Sequence, residues 1–161
     1  MVAQRLVNLG VKVIAYDPFI DQEAVRSSGI DLTFVSLEAL FKHSDIVSLH
    51  MRVTPETENL IDRKLLALMQ PSAYLINTAR PGILVKADFI EVLKKRKIAG
   101  AAIDVVWEEP IAADDPLLGL DNLVITSHIA GDTVDAIPKS PLLLAKTVKD
   151  YLQTGVSEFI V

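Results

Sequence analysis

Three residues in this chain have side chains suited to a negatively charged carbonyl compound: Arg80, Glu109 and His128. The guanidinium of Arg80 offers a planar fork of donors that matches a carboxylate bidentately. An imidazole such as that of His128 gives up or accepts a proton near neutral pH, as hydride transfer to or from a carbonyl requires. A carboxylate beside that imidazole would hold and charge-stabilise it, the orienting logic of catalytic triads. Glu109 and its neighbour Glu108 are equally good carboxylates for this purpose, and spacing does not choose between them. Each of the three groups ends or follows a short apolar run between Ala73 and His128. In an open parallel sheet, polar residues just past the carboxyl ends of strands gather in one crevice, where ligands bind.

The elements that must position them follow in order. Val2, Leu6 and Leu9 share a helical face closed by Gly10, so the chain opens on a helix. A β-rich run, 11–16, ends at Asp17-Pro18, and a short helix from Asp21 to Ser28 stops at Gly29. A minimal strand at 33–35, a short helix after Ser36 and a strand at 45–50 come next. The polar stretch 51–57, with Pro55, reads as a loop. Asp62 caps a helix expected to run through Met69. Then come a buried strand at 73–79, a sharp turn at Arg80-Pro81-Gly82, an amphipathic helix at 86–97 and a strand at 99–105. In that last strand, small residues would permit close helix approach. An irregular loop, 110–120, precedes the last strand at 123–127 and a final helix from about Pro141 to Leu152. Strands and helices alternate and the strands show no polar face, which predicts an α/β fold: a parallel sheet covered on both sides by helices.

Composition narrows the function classes. With 161 residues, half of them hydrophobic and 23% charged, the chain is one globular domain rather than two or a disordered segment. Mean hydropathy is +0.35, yet no apolar run is long enough to span a bilayer, and residues 1–10 show no secretory pattern. A net charge of −5 argues against a nucleic-acid partner. The one basic run, Lys94-Lys95-Arg96-Lys97, reads as the solvated end of a helix, where cations offset the macrodipole. The absence of cysteine fits a reducing, cytoplasmic setting. No cluster has metal-ligand spacing, so no metal is expected.

Other residues are candidates beside plainer explanations. Asp17, after a strand in a βαβ-like unit, could accept from the ribose hydroxyls of NAD and repel a 2′-phosphate, although Asp-Pro turns occur anywhere. Asp104 ends its strand facing the same crevice and could accept from a carboxamide, or could simply cap the loop. His50 could line a cofactor, whereas His43 sits at a helix end and is expected to face solvent.

Taken together, the segments Val-Ile-Ala-Tyr-Asp-Pro (13–18), Asp-Ile-Val-Ser-Leu-His (45–50), Thr-Pro-Glu-Thr (54–57), Leu-Ile-Asn-Thr-Ala-Arg (75–80), Gly-Ala-Ala-Ile-Asp-Val (100–105), Glu-Glu-Pro (108–110) and Ser-His-Ile-Ala-Gly (127–131) resemble, in order, the NAD-binding domain of the D-isomer-specific 2-hydroxyacid dehydrogenases. The resemblance covers nearly the whole chain. It implies a Rossmann-type doubly wound sheet and hydride transfer between nicotinamide and a 2-oxo or D-2-hydroxy acid. Arg80 would bind the substrate carboxylate, and His128 would be the acid/base. Glu109 would orient His128, being preferred to Glu108 because the family's carboxylate immediately precedes the proline. Asp17 would hold the adenine ribose. Thr78, Ala79 and Asp104 would line the nicotinamide side, and Met51, Arg80, His128 and Gly131 would border the cofactor. A homodimer is implied by resemblance.

The sequence also departs from the family pattern. It begins beyond the family's first strand and Gly-x-Gly-x-x-Gly turn, and a substrate domain is absent, so residues 1–161 read as an incomplete nucleotide domain of a longer chain, or as one whose missing strand a partner supplies. Arg52 stands where the family commonly has proline, and Pro81-Gly82 replaces the usual glycine. Pro138 and Pro141 are expected to break the helix that the family has there. Two alternatives to an active dehydrogenase are a nucleotide-sensing or corepressor-like binding module and an inactive fragment.

Overall fold

The computed structural model describes residues 2–156. They form two compact bodies, one up to Thr126 and one from Ser127 onward.

The first body opens with α1 (Val2–Asn8), which lies against β1 (Val13–Ala15). Gly10 adopts a φ of +78°, the left-handed conformation that closes such a helix. α2 (Gln22–Ser27) starts on Asp21, whose carboxylate accepts the amides of Glu23 and Ala24 at 2.9 and 3.1 Å. β2 (Leu32–Phe34) pairs parallel with β1. Ser36 then caps α3 (Leu37–His43) through the Ala39 amide, and His43 is exposed at its end. The alternation continues through β3 (Ile46–Leu49), α4 (Arg63–Leu66), β4 (Tyr74–Asn77), α5 (Lys86–Lys94) and β5 (Gly100–Ile103), after which β6 (Leu123–Ile125) follows with no α-helix between. Among the described residues, β1 and β2 make one two-stranded sheet, and β3-β4-β5-β6 make a second, parallel throughout.

The four-stranded sheet is in register from end to end. Leu49 stands opposite Asn77, Asn77 opposite Ile103, and Ile103 opposite Ile125, so these four residues close their strands on one line. Side chains alternate between faces with a period of two. Val47, Leu49, Leu75, Ala101 and Ile103 point into a core filled by Phe41 of α3, Leu65 and Leu66 of α4, and Phe89, Val92 and Leu93 of α5.

On the face opposite that core, Ile46, Tyr74 and Val124 are 59%, 51% and 62% exposed. Several expectations are corrected. Helix α4 is a single turn. Beyond it Leu68 and Met69 donate to residues three back, at 3.0 and 3.2 Å, so the chain tightens instead of continuing to Met69 as an α-helix. The 110–120 loop contains a 3-10 helix, Pro116–Gly119, capped by Asp115, and a second one, Pro81–Ile83, forms the turn after Arg80. Gly100 is required by its neighbours: a Cβ there would lie 2.7 Å from the Asn122 carbonyl oxygen and 3.3 Å from the Tyr74 ring.

The second body is the segment after Ser127 with α6 (Ala136–Thr154). This helix begins five residues before Pro141, so the prolines do not break it. Pro138 occupies the third helical position, where the N–H has no intrahelical partner to lose, while Pro141 lies inside the helix. Thr133 supports the start by accepting the Ala136 amide through its hydroxyl at 3.0 Å. Gly155, with φ +70°, closes the helix. No helix of the described residues is long and apolar enough to cross a membrane.

Gly100→Ala is expected to destabilise the protein by about 1–3 kcal/mol through overpacking against strand backbone. Gly119→Ala, with open space around it, should stay within about 0.5 kcal/mol. Urea unfolding of both variants compares them directly, and equal midpoints would refute the steric argument.

Candidate active site

The common line on which β3, β4, β5 and β6 end decides where the chemistry stands. His50 and Met51 follow β3, Thr78, Ala79 and Arg80 follow β4, and Asp104 follows β5, all at the carboxyl edge of one sheet. Thr78 and Arg80 are exposed there, and Met51 and Ala79 are half-buried. Ser48 and His50 share a hydrogen bond of 2.9 Å.

The turn that carries Arg80 is built by a residue that reading the sequence passed over. Asn77 is fully buried at the last position of β4. Its Oδ1 accepts the Ala79 amide and its Nδ2 donates to the Arg80 carbonyl, both at 3.0 Å. One carboxamide therefore satisfies two backbone groups of the turn and fixes the path from Thr78 to Arg80. The guanidinium of Arg80 donates through Nη1 to the Ala79 carbonyl at 2.7 Å. Only the position of Asn77, a polar residue ending an apolar run, hinted at this role.

The loop after β3 is stitched to the segment after Arg80. The Asn59 amide donates to Gly82, Ile61 to Ile83 and Val85 to Ile61, at 2.8, 3.0 and 3.1 Å. The departures at 81–82 and 52 thus fall in two loops that are hydrogen-bonded to each other.

Asp104 is 3% exposed and accepts the Thr126 hydroxyl, while its amide donates to the Asn77 carbonyl at 3.0 Å. It ties β4, β5 and the residue after β6 together at the same edge. Glu109 is exposed on the excursion from β5 to β6, as is Glu108. That excursion is anchored by Trp107, tilted against Phe89 with ring centroids 6.0 Å apart, and by Asp115, whose Oδ1 accepts the Leu117 amide at 2.9 Å. Lys86 Nζ lies 2.6 Å from Asp115 Oδ2. Burial acts to raise the Asp115 carboxyl. Hydrogen bonds from Lys86 and the Leu117 amide, together with the charge of Lys86, outweigh burial and hold it below its ordinary value.

Asp17 stands two residues past β1, beside the two-stranded sheet. Its Oδ1 accepts the Phe19 amide at 3.0 Å, so the Asp-Pro turn exists, and the bond uses one of its two carboxylate oxygens. His128 and Gly131 belong to the second body. His128 has a φ of +59°, the left-handed region that a residue with a side chain occupies only at a cost.

The family model of the D-isomer specific 2-hydroxyacid dehydrogenase NAD-binding domain matches residues 1–130. The chain belongs to this family. D-3-phosphoglycerate dehydrogenase of Methanocaldococcus jannaschii is 36% identical over 160 residues, which cover 99% of this chain and 30% of that protein. Glyoxylate reductase of Thermofilum pendens is 38% identical over 147 residues, covering 91% and 43%. Among solved structures, the NAD complex of the D-isomer specific 2-hydroxyacid dehydrogenase of Lactobacillus delbrueckii ssp. bulgaricus superposes with a TM-score of 0.85. It is 31% identical, with 99% of this chain and 51% of that one covered. The chain spans less than half the length of either of these curated relatives. Membership makes the sheet a Rossmann-type NAD-binding fold, and the carboxyl edge bearing Asn77, Arg80 and Asp104 is the edge at which such folds bind ligands.

Two expected outcomes follow from this geometry. Asn77→Ala leaves two partly buried backbone groups of the Arg80 turn without this partner and should cost about 1–3 kcal/mol in urea unfolding; an unchanged midpoint would show that the carboxamide is dispensable. The lowered Asp115 carboxyl contributes stability that is complete above its unfolded-chain value, about 3.9, and is lost as pH falls through the lower folded value. Asp115→Asn should therefore lower stability at neutral pH and flatten the loss of stability below about pH 4. Unfolding curves at several acidic pH values that stay parallel for both proteins would contradict this.

Proposed function

We propose that this chain is the cofactor-binding and catalytic part of an NAD-dependent enzyme that interconverts a 2-oxo acid and a D-2-hydroxy acid. The observation that carries the reading is the exposed Arg80, held by the buried Asn77 carboxamide at the carboxyl edge of a family-type sheet.

The donor set there fits a nicotinamide dinucleotide at its two ends. Asp17 offers a carboxylate for ribose hydroxyls, which favours NAD over NADP, and Met51, Thr78, Ala79 and Asp104 frame the nicotinamide side, with Gly131 bordering the cofactor. When bound, NAD supplies or takes the hydride. The protein does the rest. Arg80 pairs with the substrate carboxylate through its fork and withdraws charge from the adjacent carbonyl. His128 gives its proton to the substrate oxygen during reduction and takes it back during oxidation. Glu109 keeps His128 oriented and stabilises its charged form, the part a carboxylate plays in a catalytic triad. Arginine at position 80 suits a carboxylate far better than lysine would, since it binds both oxygens at once. By the same reading the protein works in the cytoplasm as a homodimer.

Trp107, the single tryptophan, is two residues from Glu109 and reports on the site. NADH titration is expected to quench its fluorescence saturably. With NADH bound, reduction of glyoxylate, hydroxypyruvate or pyruvate should fall at least about a hundredfold in His128→Asn, because asparagine tolerates the left-handed backbone but cannot carry the proton. Arg80→Lys should raise KM for the 2-oxo acid and spare NADH affinity. Absence of quenching in the folded protein would overturn the reading. Quenching without turnover would instead mark a nucleotide-binding module.

A further inference from the structure

Lys86 is the first residue of α5, six residues after Arg80. A cation is poorly placed there, because the helix dipole presents its positive end to the first turn. Its surroundings supply a different reason for its presence. Its ammonium pairs with Asp115 at 2.6 Å and stands 5.8 Å from the centroid of the Trp107 ring. Trp107 leans on Phe89, one turn further along the same helix. Asp115 is nearly buried, with its side chain 7% exposed, and its second oxygen caps the 3-10 helix Pro116–Gly119 by accepting the Leu117 amide. Two points of the β5–β6 excursion, residues 107 and 115, are thus fastened to the first turn of α5, and Glu109 lies between them.

We propose that Lys86 is a positioning residue: its ammonium joins the segment that begins at Arg80 to the excursion that bears Glu109, so that one joint sets both groups. This rests on the reading of Arg80 and Glu109 given above. The joint has two arms of different chemistry. The ion pair draws the far end of the excursion to α5, and the cation over the indole ring holds the near end. Removing the charge while keeping the aliphatic stem releases both arms without opening a large cavity. A guanidinium at the same place keeps both, since arginine also pairs with carboxylates and stacks on aromatic rings.

The test compares Lys86→Met, Lys86→Arg, Asp115→Asn and the double variant Lys86→Met/Asp115→Asn in the full chain, each first shown to be folded by circular dichroism. Acrylamide quenching of Trp107 reports on the near arm without any catalysis. The expected result is quenching raised about twofold in Lys86→Met and close to wild type in Lys86→Arg, where the conservative cation rescues the joint. With NADH and a 2-oxo acid, Lys86→Met should lower kcat/KM about tenfold while the Kd for NADH holds within about twofold. The double variant should lose no more than Lys86→Met alone, as expected of residues acting as one unit.

Unchanged quenching in Lys86→Met, or losses that multiply in the double variant, would overturn the proposal. Glu109→Gln separates this failure from failure of the parent reading. If Glu109→Gln is impaired and Lys86→Met is not, only the joint is wrong. If Glu109→Gln keeps full kcat/KM, the catalytic assignment of Glu109 falls and the role of Lys86 falls with it.

Discussion

The arrangement of this molecule depends on the parallel register that sets Leu49, Asn77, Ile103 and Ile125 side by side. Parallel strands must each be followed by a crossover, so all their carboxyl ends open towards the same side. Because the four ends are level, the residues after β3, β4 and β5 emerge along a single rim. A slip of one residue in any pair would turn every side chain of that strand to the opposite face and break the line. Hydrophobic burial opposes such a slip: Val47 and Leu49 of β3, Leu75 of β4, or Ala101 and Ile103 of β5 would leave the core with the strand that slipped. The energetics of the interior and the placement of polar groups on the rim therefore have one cause.

Two polar side chains, Asn77 and Asp104, are buried among the described residues, and both sit on that rim at the ends of neighbouring strands. Burying a polar group is unfavourable unless its hydrogen bonds are made. Here both make them to groups that the strand ends would otherwise leave loose: the Arg80 turn for Asn77, the Thr126 hydroxyl for Asp104. Helix α5 supports the arrangement with ionic contacts to two segments. It meets the start of α4 through Asp88 and Arg63 and the β5–β6 excursion through Lys86 and Asp115, and just past its end Arg96 pairs with Asp121, two residues before β6.

Much of this was legible in the residues themselves. Alternating periodicity, the Ser36 and Asp62 caps and the glycine stops at 10 and 29 located the elements, since those signals are local and act through the backbone of the same segment. The rim residues were legible because strand ends are. What escaped reading was set by partners distant in sequence or by unusual positions. Asn77 shows only as a polar residue ending an apolar run until the turn folds back on it. Lys86 and Asp115 are 29 residues apart, and nothing local signals their pairing. Pro138 and Pro141 suggested a broken helix because a proline's cost depends on its distance from the helix start, and that start was placed too late.

The left-handed backbone at His128 also bears on how this position can drift. Besides glycine, the residues that accept such a conformation most readily are asparagine, aspartate and histidine itself. In the genetic code the codons of these three differ at the first base alone. A single nucleotide change can therefore remove the imidazole, and a single change can restore it, with the local backbone undisturbed in either direction. Valine, isoleucine or threonine would meet a steric barrier before any loss of chemistry was felt. The fold thus leaves open a short, reversible mutational route between a chain with an imidazole at this position and one without it.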